Sequence, residues 1–223
     1  MCIRDSLEGE ATLLNYHGPP ADPIVLVDDA RAQAARLGAN SMRFTVGPGV
    51  FDGADDDELR RRDASTVATI DVVALDLSEH RAGPVMCCDE TVTATCVDGP
   101  SMLSLFEDVS RRAWGFAPPV LADLPGTPKS EWPGMYLGHH RGRLAGAGGY
   151  ALVDGVARLW GAAVLEEFRG RGVYRALVAA RVHDARSRGA TLAIVHAEQT
   201  SSPILRRLGF RKHGERRLTR LPV

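Results

Sequence analysis

The sequence predicts an α/β fold: a mixed, mostly antiparallel sheet flanked by helices, preceded by a half-sized, degenerate copy of the same arrangement. Three observations lead there. Apolar, strand-like runs follow one another at 135–139, 143–153 and 157–164, and Asp154-Gly155 between the last two is a hairpin turn signal. A glycine-arginine loop and a helix-like run then separate the third of them from a further strand at 191–197. Finally, residues 28–77 run helix, strand, helix, strand, and so do residues 172–221. Leu37-Gly38-Ala39 ends the first helix as Arg188-Gly189-Ala190 ends its counterpart.

Taken in order, residues 7–23, with Gly18-Pro19-Pro20 and Pro23, read as an irregular lead-in. Asp28 or Asp29 is expected to cap a helix that runs to Leu37 and stops at Gly38, with Val27, Ala30, Ala34 and Leu37 on its apolar face. Residues 41–46 form a strand ended by Gly47-Pro48-Gly49. The acidic run 52–57 heads a short helix, 56–62, where the helix dipole favours negative charge. A calcium loop would need alternating ligands and a closing Glu in register, and the run has neither. A strand follows at 69–77, with Val72, Val73 and Leu75 apolar, then a linker at 78–90.

The second unit opens with a strand at 92–97. Pro100-Ser101 starts a helix whose Met102, Leu105, Phe106, Val109 and Ala113 fall on one face. The proline-rich stretch 118–133 is either a plain loop or part of a ligand site. Gly146, Gly148 and Gly149 in one strand mark a bulge or a close backbone approach. A short helix, 202–207, closes on Leu208-Gly209-Phe210. The expected division is therefore a partial, degenerate unit at 1–84 and a complete one at 85–223. Half a sheet cannot bury its apolar faces alone, so the first unit is expected to dock on the second or on another copy of the chain, as a homodimer. Met1-Cys-Ile-Arg-Asp-Ser6 resembles a translated sequencing-adapter read, which would leave Cys2 without biological meaning.

Composition narrows the function. The chain has 223 residues, 44% apolar and 25% charged, which suits a globular core. A net charge of −1 argues against non-specific nucleic-acid binding, and the single Arg-Gly-Arg-Gly run lacks the repetition of RNA-binding tails. No apolar run reaches membrane-spanning length, and no basic-then-apolar leader opens the chain. Cys2, Cys87, Cys88 and Cys96 lack metal-site spacing, so no zinc site is expected, and a reducing cytoplasm fits.

The chemistry concentrates at Val164-Leu-Glu-Glu-Phe-Arg-Gly-Arg-Gly-Val-Tyr174, between a strand and a helix. The first turn of a helix offers unpaired N–H groups and the positive end of the dipole. Gly170 and Gly172 allow close approach of the backbone, and Arg169 and Arg171 add fork-shaped cations. A pyrophosphate is the natural guest. The run Arg169-Gly170-Arg171-Gly172-Val173-Tyr174 resembles the [Arg/Gln]-x-x-Gly-x-[Gly/Ala] loop of the GNAT superfamily of acyl-CoA-dependent N-acyltransferases, with Tyr174 where that family has Gly or Ala. The short last helix with its Gly-Phe turn is similar too, and the resemblance covers about residue 92 to the C-terminus.

That resemblance implies acetyl-CoA as acyl donor and an amine as acceptor. It implies pyrophosphate binding at residues 169–174, and pantetheine lying between strands 157–164 and 191–197. There Gly161, Ala162, Ala163 and Val164 suit a thin chain alongside. Many relatives place an Asn after the fifth strand and a proton-donating Tyr in the last helix; counted back from Gly209, those positions hold Glu198 and Leu205. The candidate bases are Glu198 and His196, two apart at one strand end, ahead of Glu166 and Glu167 beside the loop. Tyr174 is the candidate acid. Two other readings stay open: an acyl-CoA-binding protein without turnover, suggested by Leu205, and a nucleotide binder using Gly-x-Gly.

Overall fold

The computed structural model describes residues 2–5, 10–15, 22–47, 53–78, 90–115 and 132–223. Most of the proline-rich stretch, most of the expected linker, and Cys87 and Cys88 lie outside these residues. The chain divides into two compact units, Met1–Val72 with His213–Val223, and Val73–Lys212.

In the first unit, strand β1 (Cys2–Asp5) pairs antiparallel with β2 (Glu10–Asn15), and β2 pairs parallel with β3 (Ser41–Val46). The last strand, β10 (Arg211–Pro222), returns antiparallel to β3 with Arg217 opposite Val46 and Pro222 opposite Ser41. Its core gathers Val27, Ala30, Ala34, Met42, Phe44 and Leu221. Helix α1 (Pro23–Arg36) begins earlier than Asp28. Asp22 caps it: its carboxylate accepts the N–H of Ile24 at 2.8 Å and of Val25 at 3.3 Å. Pro23, read above as part of the lead-in, sits where a helix tolerates proline because that N–H has no partner in any case. Leu37, expected on the apolar face, is exposed. The expected lead-in instead contains the strand β2. Helix α2 (Gly53–Arg61) starts before Asp56, and its acids pair with arginines: Asp57 with Arg60, Glu58 with Arg61, and Asp56 with Arg217 at 2.6 Å. Strand β4 (Ser65–Asp76) begins four residues before the expected start and carries the chain from one unit into the other.

The second unit has strand order β9-β8-β7-β6-β5, formed by Leu192–Ala197, Val156–Val164, Arg143–Val153, Gly134–His140 and Val92–Cys96. The β8–β9 pair is parallel and the others antiparallel, which is the mixed, mostly antiparallel sheet expected. Asp154 and Gly155 have φ of 50° and 75°, both positive, as a two-residue hairpin with matching twist requires. Arg141 and Gly142 make a second such turn that the sequence reading passed over. Helix α3 (Pro100–Trp114) buries Phe106 and Val109 as expected, but Leu105 is exposed and Ser110 takes its share of the buried face. Buried Ser110 is tolerated because its hydroxyl donates to the Phe106 carbonyl at 2.8 Å.

The glycines of the sheet are close approaches. A Cβ on Gly134 would stand 2.0 Å from the Tyr150 ring, and one on Gly138 2.8 Å from Val173. Tyr150 on the neighbouring strand and Val173 from outside the sheet thus fill the space these glycines leave.

Candidate active site

The site grows out of the end of β8. The β8–β9 pairing runs from Val156 opposite Leu192 to Leu159 opposite Val195, although both strands continue beyond it. The cause lies on the other edge of β8. Against β7, Gly149 faces Trp160 and Ala147 faces Ala163, so Gly161 and Ala162 together oppose Gly148. That is a β-bulge, and Gly161 has the positive φ, 63°, that such a bulge asks of its first residue. A bulged strand bends, and β8 bends just where it leaves β9.

After β8, one 3-10 turn (Glu166–Phe168) leads to the loop. Phe168 is buried, with Arg143 over its ring at 5.1 Å, and so anchors the loop to the core. Gly170 and Gly172 take φ of 76° and 84°, both left-handed, and Gly172 is the N-cap of helix α4 (Val173–Ser187). The first bond into the helix is Ala176 N–H to the Gly172 carbonyl at 3.1 Å. The N–H groups of Val173, Tyr174 and Arg175 therefore have no acceptor within the helix. Val173 is itself buried against Gly138 and Gly146, which pins the start of the helix to the sheet.

The bend and the loop border an open cavity of about 1240 Å³. Of the residues singled out from sequence, Ala163, Val164, Arg169, Gly170, Gly172, Val173, Tyr174, His196 and Glu198 line it. Arg171, Glu166 and Glu167 do not; Arg171 is exposed, and Glu167 faces Arg112 at 3.5 Å. His196 and Glu198 are exposed at the end of β9. Glu198 follows the strand, and its carbonyl accepts the N–H groups of Ser201 and Ser202, which opens the short helix α5 (Ser202–Arg207). Leu205 is fully buried in the second unit's core and also lines the cavity. Tyr174 is held above the ordinary tyrosine range by burial, which outweighs the opposing pull of the Arg181 charge and a hydrogen bond from Ser201. Its proton is therefore kept at neutral pH.

Sequence reasoning missed Trp114, Arg175, Arg181 and Arg207, all in the cavity wall. Trp114 approaches the site of a Gly161 Cβ within 3.5 Å. Arg181 could have been noticed: it is a charge at the i+7 position from Tyr174 in a helix face of Leu177 and Val178. Among the described residues, the wall's charged side chains are Arg169, Arg175, Arg181 and Arg207 against Glu198, which suits a polyanion.

This mixed sheet, with a bulged strand that runs into a glycine loop at a helix N-terminus, fits the fold that the resemblance implies. Residues 101–210 match the acetyltransferase (GNAT) family model. The fold is similar to a GCN5-related N-acetyltransferase from Kribbella flavida (20% identity, TM-score 0.65, covering 96% of this chain and 81% of that one). It is similar also to a GCN5-related N-acetyltransferase from Sphaerobacter thermophilus (16% identity, TM-score 0.72, 99% and 75%). A third likeness is to a tandem GNAT protein from the clavulanic acid biosynthesis pathway (16% identity, TM-score 0.65, 96% and 75%). At these identities the likeness is one of fold. No curated protein matches the sequence. Residues 101–210, just under half of the chain, are thus a GNAT-family acetyltransferase domain.

Proposed function

We propose that the chain is a cytoplasmic N-acetyltransferase that moves the acetyl group of acetyl-CoA to a primary amine by direct attack in a ternary complex. The observation that carries this reading is the cavity, in which the parting of β8 and β9 leads into an arginine-rich glycine loop and free helix N–H groups. In this reading the N–H groups of Gly170 and of Gly172 to Arg175 and the cations Arg169 and Arg175 hold the pyrophosphate, with Arg171 adding charge from outside the wall. Ala163 and Val164 border the pantetheine.

The amine lone pair attacks the thioester carbonyl carbon, and the adduct collapses by breaking the C–S bond to give an amide and CoA. The protein's main work is to hold the two substrates in line and to polarise the carbonyl. The nitrogen must lose a proton, and Glu198 takes it, directly or through water; His196 is the second candidate. The sulfur gains a proton, and Tyr174 supplies it, since Leu205 has none to give. The first 84 residues are read as a degenerate copy, with no glycine-arginine loop ahead of α1. One chain then binds one acetyl-CoA.

Release of free CoA across a panel of amines tests the function. Turnover with any amine supports it; tight acetyl-CoA binding with no turnover would leave a binding protein.

A further inference from the structure

Arg181 is the large side chain that the proposed chemistry leaves unused. It is 1% exposed, at the third turn of α4, and it lines the cavity. Burial lowers its pKa to about 10, so it remains a cation at neutral pH. Its Nε donates to the Leu177 carbonyl of its own helix at 2.8 Å. Its Nη1 donates to the carbonyls of Gly149 at 3.1 Å and Trp160 at 3.2 Å. Gly149 and Trp160 are the pair that flanks the bulge, and Trp160 is the first β8 residue beyond the last pair with β9. A Cβ on Gly148, the residue opposite the bulge, would lie 3.1 Å from the guanidinium carbon. The glycine there makes room for the arginine. From the other direction, Phe106 of α3 meets the Trp160 ring edge-on at 6.0 Å.

These contacts have one physical sense. A bulge disrupts the ladder, and a strand that leaves its neighbour gives up acceptors. A buried carbonyl without a donor is costly, so a bend of this kind tends to close again unless something satisfies it. We propose that Arg181 is a positioning residue that holds the β8 bulge and so keeps β8 and β9 apart for the pantetheine arm of the acyl donor. This rests on the acyl-CoA reading above. Without the guanidinium, the Trp160 carbonyl recovers a donor most directly by pairing β8 further along β9, and that narrows the gap, while the Gly149 carbonyl across on β7 is left without this donor. The N–H groups at the start of α4 stand two turns away and are held separately, by Val173 against Gly138 and Gly146.

Two ligands separate the two places. ADP carries the pyrophosphate but no pantetheine; acetyl-CoA carries both. In calorimetry, Arg181→Met is expected to weaken acetyl-CoA by about tenfold while ADP stays within about twofold. Arg181→Lys, which keeps a donor in the same place, should fall between Met and the wild type, and it serves alone should the Met variant fail to fold. Equal weakening of both ligands, or acetyl-CoA binding unchanged in both variants, overturns the role assigned to Arg181. Wild-type protein that binds neither ligand would instead overturn the acyl-CoA reading, and the role of Arg181 with it.

Discussion

Gly172→Glu separates binding from folding at the loop. Gly172 has φ of 84°, and a Cβ there would meet only Arg175 Nη2 at 3.7 Å and Val92 Cγ2 at 3.9 Å, which are ordinary contacts. The structural cost is therefore that of a left-handed L-residue, about 1–2 kcal/mol. In a chain of this size that lowers Tm by about 2–8 °C. A carboxylate at the N-terminus of α4 is favoured by the dipole, so Glu should be no less stable than Ala at this position. For a bound pyrophosphate the outcome is different. One added negative charge about 4 Å from each phosphate opposes it by about 4 kcal/mol per charge pair at an effective dielectric near 20. Even if screening leaves half of one pair, the Kd rises by more than about tenfold, and a hundredfold rise needs only about 2.8 kcal/mol. Calorimetry with acetyl-CoA should show Gly172→Glu weakened on the order of a hundredfold. Gly172→Ala, with the same backbone cost and no charge, should bind much closer to wild type. A Glu variant that is folded and binds within threefold of wild type would refute the pyrophosphate site.

Three further outcomes are expected. Tyr174→Phe should lower kcat on the order of a hundredfold, the usual scale of a general acid, with little change in the amine KM; a change of a few-fold would mean the thiolate leaves unassisted. Glu198→Gln keeps the carbonyl that opens α5 and removes only the carboxylate, so the acidic limb of the pH–rate profile should disappear. A limb that persists would transfer the base to His196. In the first unit, burial of Glu10 raises its pKa, but the hydrogen bonds and charges of Arg43 and Arg220 outweigh it and hold the carboxyl below the ordinary range. A depressed carboxylate contributes stability above its unfolded pKa and loses it as pH falls through the folded value. Thermal unfolding between about pH 5 and pH 2 should therefore fall less steeply in Glu10→Gln than in wild type; parallel curves would argue against the pairing.

The elements of the second unit were legible because their signals are local. A run of apolar residues bounded by Asp154-Gly155, or a glycine ahead of Val173-Tyr174, carries its own backbone preference, and observed strand ends lie within a residue of expectation. Legibility fell off in the first unit. The strands β1 and β2 are four and six residues long, and neither Cys2–Asp5 nor Glu10–Asn15 alternates long enough to carry a clear period. The start of α1 was displaced because Asp22-Pro23 is as good a helix opening as Asp28. Leu105 was misplaced because a stripe's width depends on what the helix packs against.

The sequence by itself determined that a strand, a glycine-arginine loop and a helix would stand in that order, with N–H groups gathered at the helix start. Only the tertiary structure decided where β8 leaves β9, because that point is set by a bulge counted against β7, with Gly161 and Ala162 opposite Gly148. It alone decided why Gly148 is a glycine, and why a cation is tolerated at position 181. The carbonyls that Arg181 satisfies belong to Gly149 and Trp160, 32 and 21 residues away along the chain. An interaction between residues so far apart has no trace in local periodicity, and exists only once the sheet and α4 have met.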